Sequence, residues 1–279
     1  MTWLQQGEWL KQCRTVASFA AHEGNKGGLE KAYLWYVQAF EQLGFNVRLE
    51  FCEEAMHRPI IIAIREPRND KSSYIGFFQH YDVEPIHAEW LHDPWKLTIN
   101  KNRVICRGIA DNIGPFIHRL LVIREHQPDH GMVFVVQGEE EIGSPFADEI
   151  YPKLVLPTVS FWVEETGYFY KNGDQRILVI DEKNKLQGLI EKLQTINQRL
   201  GRGTKIRKRP LNKAFGAEKC PCLSHLIRGA PYISLGINDD YSTVHGPNES
   251  LNLDHLEISA LHIQALFDSK EVMYNEQRP

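Results

Sequence analysis

The stretch MVFVVQGEEEIGSP, residues 132–145, carries a short apolar, β-branched run into a polar turn and then into three adjacent carboxylates. The run MVFVVQ, residues 132–137, reads as a β-strand bounded by turn residues. Glu139, Glu140 and Glu141 follow it at once. Carboxylates this close repel one another, and burying one without a partner costs several kcal/mol, so a bound cation is the expected compensation.

Working outward, NVRLEF (46–51), PIIIAIRE (59–66), YIGFFQH (74–80) and TVSFWVE (158–164) have the same strand character. Helical periodicity appears between and around them. Leu4, Leu10, Val16 and Phe19 mark one helix, and Leu34, Val37, Phe40 and Leu43 a second. Further helices are expected over 113–126, 185–200 and 253–268. Strands alternating with helices predict an α/β fold, a mostly parallel sheet covered by helices. Turn residues (KNGDQ) and a single short strand occupy Tyr168 to Lys185.

The chain has 279 residues, 42% hydrophobic and 24% charged, with a net charge of −4, the make-up of an ordinary soluble globular protein. Nothing in that balance points to nucleic acid or an anionic membrane as partner. The basic stretch GRGTKIRKRPLNK, from Gly201, reads as a solvated loop and edge strand. Five cysteines without framework spacing fit a reducing cytoplasm. Neither a signal peptide nor a membrane span is legible.

In open α/β sheets, ligands bind at the carboxyl ends of the strands. His80 and Asp82 lie just past one strand, and Asp111 precedes a helix. Glu139 to Glu141 and the pair Glu164 and Glu165 each follow a strand, and His245 lies in STVHGPNE. Each piece alone is ordinary: a glutamate run is most often a solvated helix start. Five loop positions with one chemistry, all after strand-like runs, are not. Two imidazoles with several carboxylates suit zinc, cobalt or manganese better than calcium or magnesium. A shared carboxylate lets five side chains serve two ions. His57, His87, His92, His118, His126, His130, His255 and His262 are read as surface or core groups.

These residues resemble the di-zinc aminoacylase and carboxypeptidase family that includes carnosinases, succinyl-diaminopimelate desuccinylase and glutamate carboxypeptidase. The resemblance rests on HYDVEP (80–85), EWLHDPWKLTI with CRGIADNIG, GEEEIGS and HGPNE (245–249), in that order along the chain. It implies a three-layer αβα sandwich of the zinc-exopeptidase type. It also implies two Zn2+ ions, with Co2+ or Mn2+ as alternatives. Asp111 would bridge them, His80 and Glu165 would complete one site, and Glu141 and His245 the other. The expected reaction is hydrolysis of an amide bond in a small peptide or N-acyl amino acid, with a metal-bridged water as nucleophile and Glu140 as general base. Asp82 would hydrogen-bond the second ring nitrogen of His80. Glu139 and Glu164 are the neighbouring alternatives within the two acidic runs. The resemblance further implies a cis peptide between Asp111 and Asn112.

Members of that family carry an inserted lid or dimerisation domain after the fifth ligand. Here the expected insertion, between about 168 and 185, is absent, leaving a single catalytic domain over 1–279 and a monomer as the expected state. The lid's oxyanion-stabilising imidazole and carboxylate-gripping groups then need replacements, for which His225 and Arg228 are candidates. Cys220 and Cys222 are read as small residues near the mouth of the site, not as a disulfide. Two other readings compete. One is a degenerate, non-catalytic relative acting as a binding protein. The other is the lid-less aminopeptidase family of similar ligand order.

Overall fold

The computed structural model describes residues 3–69, 73–208, 225–226 and 230–269. Helices α1 (Trp3–Ala17) and α2 (Lys26–Gln42) come first, then β1 (Asn46–Glu50), β2 (Ile60–Arg65) and β3 (Tyr74–His80). A small excursion, β4 (Thr98–Asn100) and β5 (Arg103–Ile105), leads to α3 (Gly114–His126) and β6 (Gly131–Gln137). The one-turn α4 (Ala147–Ile150) precedes β7 (Val159–Glu164), β8 (Tyr168–Phe169), β9 (Gln175–Ile180) and α5 (Gln187–Arg199). The chain closes with β10 (Thr204–Lys208), β11 (Tyr232–Ser234), β12 (Asn238–Asp239), β13 (Ser250–Asn252) and α6 (His255–Phe267).

Ten strands form one mixed sheet in the order β1-β2-β6-β3-β7-β11-β9-β8-β12, with β10 on the far edge of β9. Its centre, β6-β3-β7, is parallel, with His80 opposite Gln137 and Phe77 opposite Val163. Strand β6 is buried along its whole length. Met132, Phe134 and Val136 enter the larger core, and Val133 and Val135 the smaller one on the opposite face. That two-sided burial is why the run is continuously apolar instead of alternating. The larger core gathers α1, α2, α3, α5 and α6. On the other face, Tyr151, Leu226 and the partly buried Ile150 and Leu154 pack against the sheet. Phe134 stacks on Phe77 at 4.5 Å and meets Phe40 at 5.0 Å, while Phe116 stacks on Tyr36 at 4.3 Å, so aromatic contacts fix α2 and α3 on the sheet centre.

Two expectations change. The buried face of α2 is Leu29, Ala32, Tyr33, Tyr36 and Phe40, and Leu34 is 45% exposed. The tyrosines, not the leucine, carry that stripe, because their rings fill the gap to Phe116 and Tyr81. The segment after Glu165 holds not one short strand but a hairpin, β8 with β9, closed by Tyr170 N–H donating to Asp174 O. Edge strand β10 falls within the basic stretch as expected. Cys13, Cys52 and Cys106 are free and buried, while Cys220 and Cys222 lie outside the described residues. Among the described residues no helix is long and apolar enough to cross a membrane.

Candidate metal centre

Three neighbouring parallel strands end side by side, and the side chains of interest stand at or just past their carboxyl ends. His80 is the last residue of β3, Glu139 to Glu141 follow β6, and Glu164 and Glu165 end and follow β7. Asp111 arrives from the irregular turn 109–113, where the Asp111–Asn112 peptide is cis, as the resemblance implies. His245 comes from the loop between β12 and β13, with a positive φ of 62°.

All five expected ligands meet. His80 Nε2 is 3.0 Å from Asp111 Oδ1 and 3.9 Å from Glu165 Oε1. His245 Nε2 is 3.2 Å from Asp111 Oδ2 and 2.8 Å from Glu141 Oε2. Atoms of His80, Asp111 and Glu141 lie within 4.8 Å of one another, and so do atoms of Glu84, Glu141 and His245. Two overlapping triads therefore share Glu141, and the second brings in Glu84.

The neighbouring acids separate by partner. Glu139 accepts a hydrogen bond from Phe146 N–H and lies 3.2 Å from Arg58 Nε. Glu164 accepts from Tyr232 Oη–H at 2.6 Å and from the Thr166 amide at 2.9 Å. Both are occupied away from the centre. Glu165, by contrast, receives Gln79 Nε2 at 2.6 Å and faces His80. Asp82 differs in detail from expectation. The nearest acceptor for His80 Nδ1 is the Asp82 carbonyl, at 3.0 Å, with the carboxylate at 3.5 Å. That carboxylate instead takes the amide of Glu141 at 3.0 Å, so it ties the β3 and β6 loops together.

The electrostatics report a demand for positive charge. Burial pushes Glu140 up to about 7, with Asp111, Asp82 and Glu164 adding to the rise against His80. Burial, and then the charge on Asp111, lift Glu141 to about 8. Burial and Glu164 raise Glu165 well above the usual range. The close carboxylates of Asp111 and Glu141 lift His245 to about 10. Burial works against charge on both His80 and Asp111. Hydrogen bonds to Asp111 and Asp82 nonetheless hold the His80 ring above its ordinary value, and those from His245 and His80 hold Asp111 below its own. Protons thus occupy the places where a carboxylate cluster needs cations. The residues fit a metal pair on a second ground. Both oxygens of Glu141 are buried with no partner in hydrogen-bonding geometry, despite the 2.8 Å approach of His245. Side chains crowding donor atom to donor atom in this way are arranged for ions.

Residues not anticipated from the sequence hold the frame. Glu249 accepts from Arg107 Nη1 (2.8 Å) and from the backbone N–H groups of Gly108, Ala110 and Asp111. Arg107 also donates to the carbonyl of His245 at 3.0 Å. Glu249 and Glu84 lie inside HGPNE and HYDVEP, where their acidity was visible but not their task. Gly236 crosses so close to β7 that a Cβ there would stand 1.7 Å from the Glu165 carbonyl oxygen. Beside the centre opens a cleft of about 290 Å3, lined among others by Asp111, Glu165, Tyr168, Arg176 and Asn238. His225 is half-buried and is not among the residues lining this cleft, and Arg228 lies outside the described residues.

A model of the family described as "Peptidase family M20/M25/M40" matches residues 76–268, more than half of the chain. Among curated proteins, the Rattus norvegicus Beta-Ala-His dipeptidase is 37% identical over 100 residues, 33% of this chain and 20% of that protein. The Saccharomyces cerevisiae "Probable di- and tripeptidase DUG2" is 24% identical over 190 residues, 58% of this chain and 22% of that protein. The matched stretches thus span about a fifth of the length of these relatives. The solved structure of the dipeptidase Dug1p from Saccharomyces cerevisiae superposes with a TM-score of 0.73 at 10% identity, covering 98% of this chain and 97% of that one, a likeness of fold. The chain belongs to peptidase family M20/M25/M40.

Proposed function

We propose that this member of peptidase family M20/M25/M40 hydrolyses the amide bond of a small peptide or N-acyl amino acid with the help of two divalent cations. Zinc is the expected pair, and cobalt or manganese the alternatives. The observation that carries the reading is the convergence of His80, Asp111, Glu141, Glu165 and His245, drawn from five separate segments of the chain, upon one another. The dipeptidase names of the matched relatives agree with it.

Asp111, with one oxygen toward His80 and the other toward His245, would serve both ions. His80 and Glu165 would complete the inner site, and Glu141 and His245 the outer, with Glu84 near enough to add an oxygen to the outer one. Bound there, such a pair supplies Lewis acidity, polarising a carbonyl and lowering the pKa of water to about 7. Glu140 is the proton carrier. Its carboxylate feels His80, Asp111 and Asp82, yet its neighbours Glu139 and Glu141 are the ones engaged by Arg58 and His245. It therefore takes the proton of the attacking water and returns it to the departing nitrogen. Asp82 holds His80 and the Glu141 amide in register. With no inserted lid, the cleft beside the centre would receive substrate on a single catalytic domain.

The test pairs metal analysis with turnover. Purified protein should bind two equivalents of zinc and cleave members of a dipeptide and N-acyl amino acid panel. Glu140→Gln should keep both ions and lose about 10²- to 10⁴-fold in kcat. A protein that binds no metal and cleaves nothing would overturn the reading and return it to a non-catalytic binding protein.

A further inference from the structure

The cleft beside the metal centre contains several acids and, among its described lining residues, one cation, Arg176. The acids are spoken for. Asp111 and Glu165 belong to the centre, Asp239 is gripped by Arg103 at 2.7 and 2.9 Å, and Asp240 accepts the Lys171 amide. Arg176 has no such engagement. Its guanidinium lies over the ring of Tyr168, 3.9 Å from the centroid, and its Nε is buried without a hydrogen-bond partner among the described residues.

The strand register explains how it comes to stand there. Tyr168 on β8 pairs directly with Arg176 on β9 and, on its other side, with Asn238 on β12. Residues opposite one another on neighbouring strands share a face of the sheet. Asn238, Tyr168 and Arg176 therefore form one row lining the cleft. The buried Oδ1 of Asn238 also lacks a partner among the described residues. An unmet donor and an unmet acceptor thus flank an aromatic ring, next to Asp111 and Glu165. A buried polar group left unsatisfied is costly, and a ligand entering the cleft would satisfy both at once. Stacking on Tyr168 leaves the flat guanidinium preorganised, and a planar two-oxygen anion is its natural complement.

We infer that this row binds the free carboxylate of the substrate, with Arg176 as the anchor and Asn238 Oδ1 accepting an amide N–H beside it. The ligand class is an acylated amino acid ending in a carboxylate, the C-terminal half of a dipeptide or an N-acyl amino acid. Specificity for a free carboxyl end would then come from the sheet itself, by way of the β8–β9 hairpin. The inference rests on the hydrolase reading for its meaning, though not for its test.

Binding is measured on zinc-loaded Glu140→Gln protein, where turnover does not interfere, by calorimetric titration with N-acetyl-alanine and with N-acetyl-alaninamide. The acid should bind about 10- to 100-fold more tightly than the amide. Adding Arg176→Gln should erase that preference by weakening the acid alone, and Arg176→Lys should restore part of it. Unchanged amide affinity and zinc content show that the variant is folded. Equal affinity for acid and amide, no binding of either, or a preference that survives Arg176→Gln because the carboxylate rests on zinc, each overturns the inference. Turnover by protein retaining Glu140 judges the hydrolase reading separately. An Arg176-dependent preference without turnover leaves this inference standing and removes that reading, and turnover with no preference does the reverse.

Discussion

Arg107 and Glu249, 142 positions apart, form a fully buried ion pair at 2.8 Å, and each also holds a piece of the candidate metal centre. Glu249 receives the Asp111 amide, and Arg107 donates to the His245 carbonyl. The pair thus ties the Asp111 segment to the His245 loop.

Breaking that pair leaves a buried charge without its partner, at a cost of about 3–5 kcal/mol. Arg107→Met and Glu249→Gln should each lose about that much in urea unfolding. The double variant should lose clearly less than the sum, because neither orphan remains. Additive losses would show that the two residues act independently.

The metal-free chain should lose stability as pH rises. Folded Glu140 and Glu141 keep their protons up to about 7 and about 8, against an ordinary value of 4.5. His245 keeps its proton to about 10, against 6.5. In each case the folded chain binds more protons than the unfolded one, so stability falls with pH across these windows. Asp111, held below its ordinary 3.8, and the buried His118 and His262, lowered by burial to about 3 from 6.5, work in the opposite sense, but only below neutrality. With chelator present, the melting temperature should fall from about pH 7 to about pH 9, and saturating zinc should flatten the slope by replacing the protons. A chelated protein whose melting temperature is level or climbing over that range contradicts this account.

Glu84 lies within reach of Glu141 and His245 while also contacting His87 at 3.0 Å. Glu84→Gln should weaken the outer ion by about tenfold or more and leave the inner one unchanged. Competition with a chromophoric chelator, read as two separate affinities, would reveal it. If both ions weaken together, Glu84 is acting on the whole loop and not on one site.

Gly236→Ala should be among the most damaging small substitutions. The added Cβ would meet two backbone oxygens, Glu165 O at 1.7 Å and Gly167 O at 1.9 Å, neither of which can step aside as a side chain could. A loss of about 3 kcal/mol or more in chemical denaturation is expected, at the top of the overpacking range. Wild-type stability would mean that β7 and the 235–237 segment are less tightly apposed.

The central strands were legible because β3, β6 and β7 are buried on both faces and so spell out apolar runs. Strands β4, β5, β12 and β13, two or three residues long and partly polar, leave no such trace. The face of α2 was misread because leucine was weighed above tyrosine, although Tyr36 is wholly buried and Leu34 is not. At the candidate centre, the order of acids and imidazoles along the chain announced which side chains come together. What each glutamate of a run does was decided by Arg58 and Tyr232, which no spacing rule connects to them. Arg176 gave no signal in the sequence at all, since its place beside Tyr168 arises only from the pairing of β8 with β9.

The two halves of the centre differ in their shelter from water. His80 and Glu165 are almost sealed, at 1% and 6% exposure, whereas His245 is 44% exposed. If two ions bind as proposed, the one beside His245 would meet solvent more readily than the one beside His80, and would exchange with the medium the faster of the two.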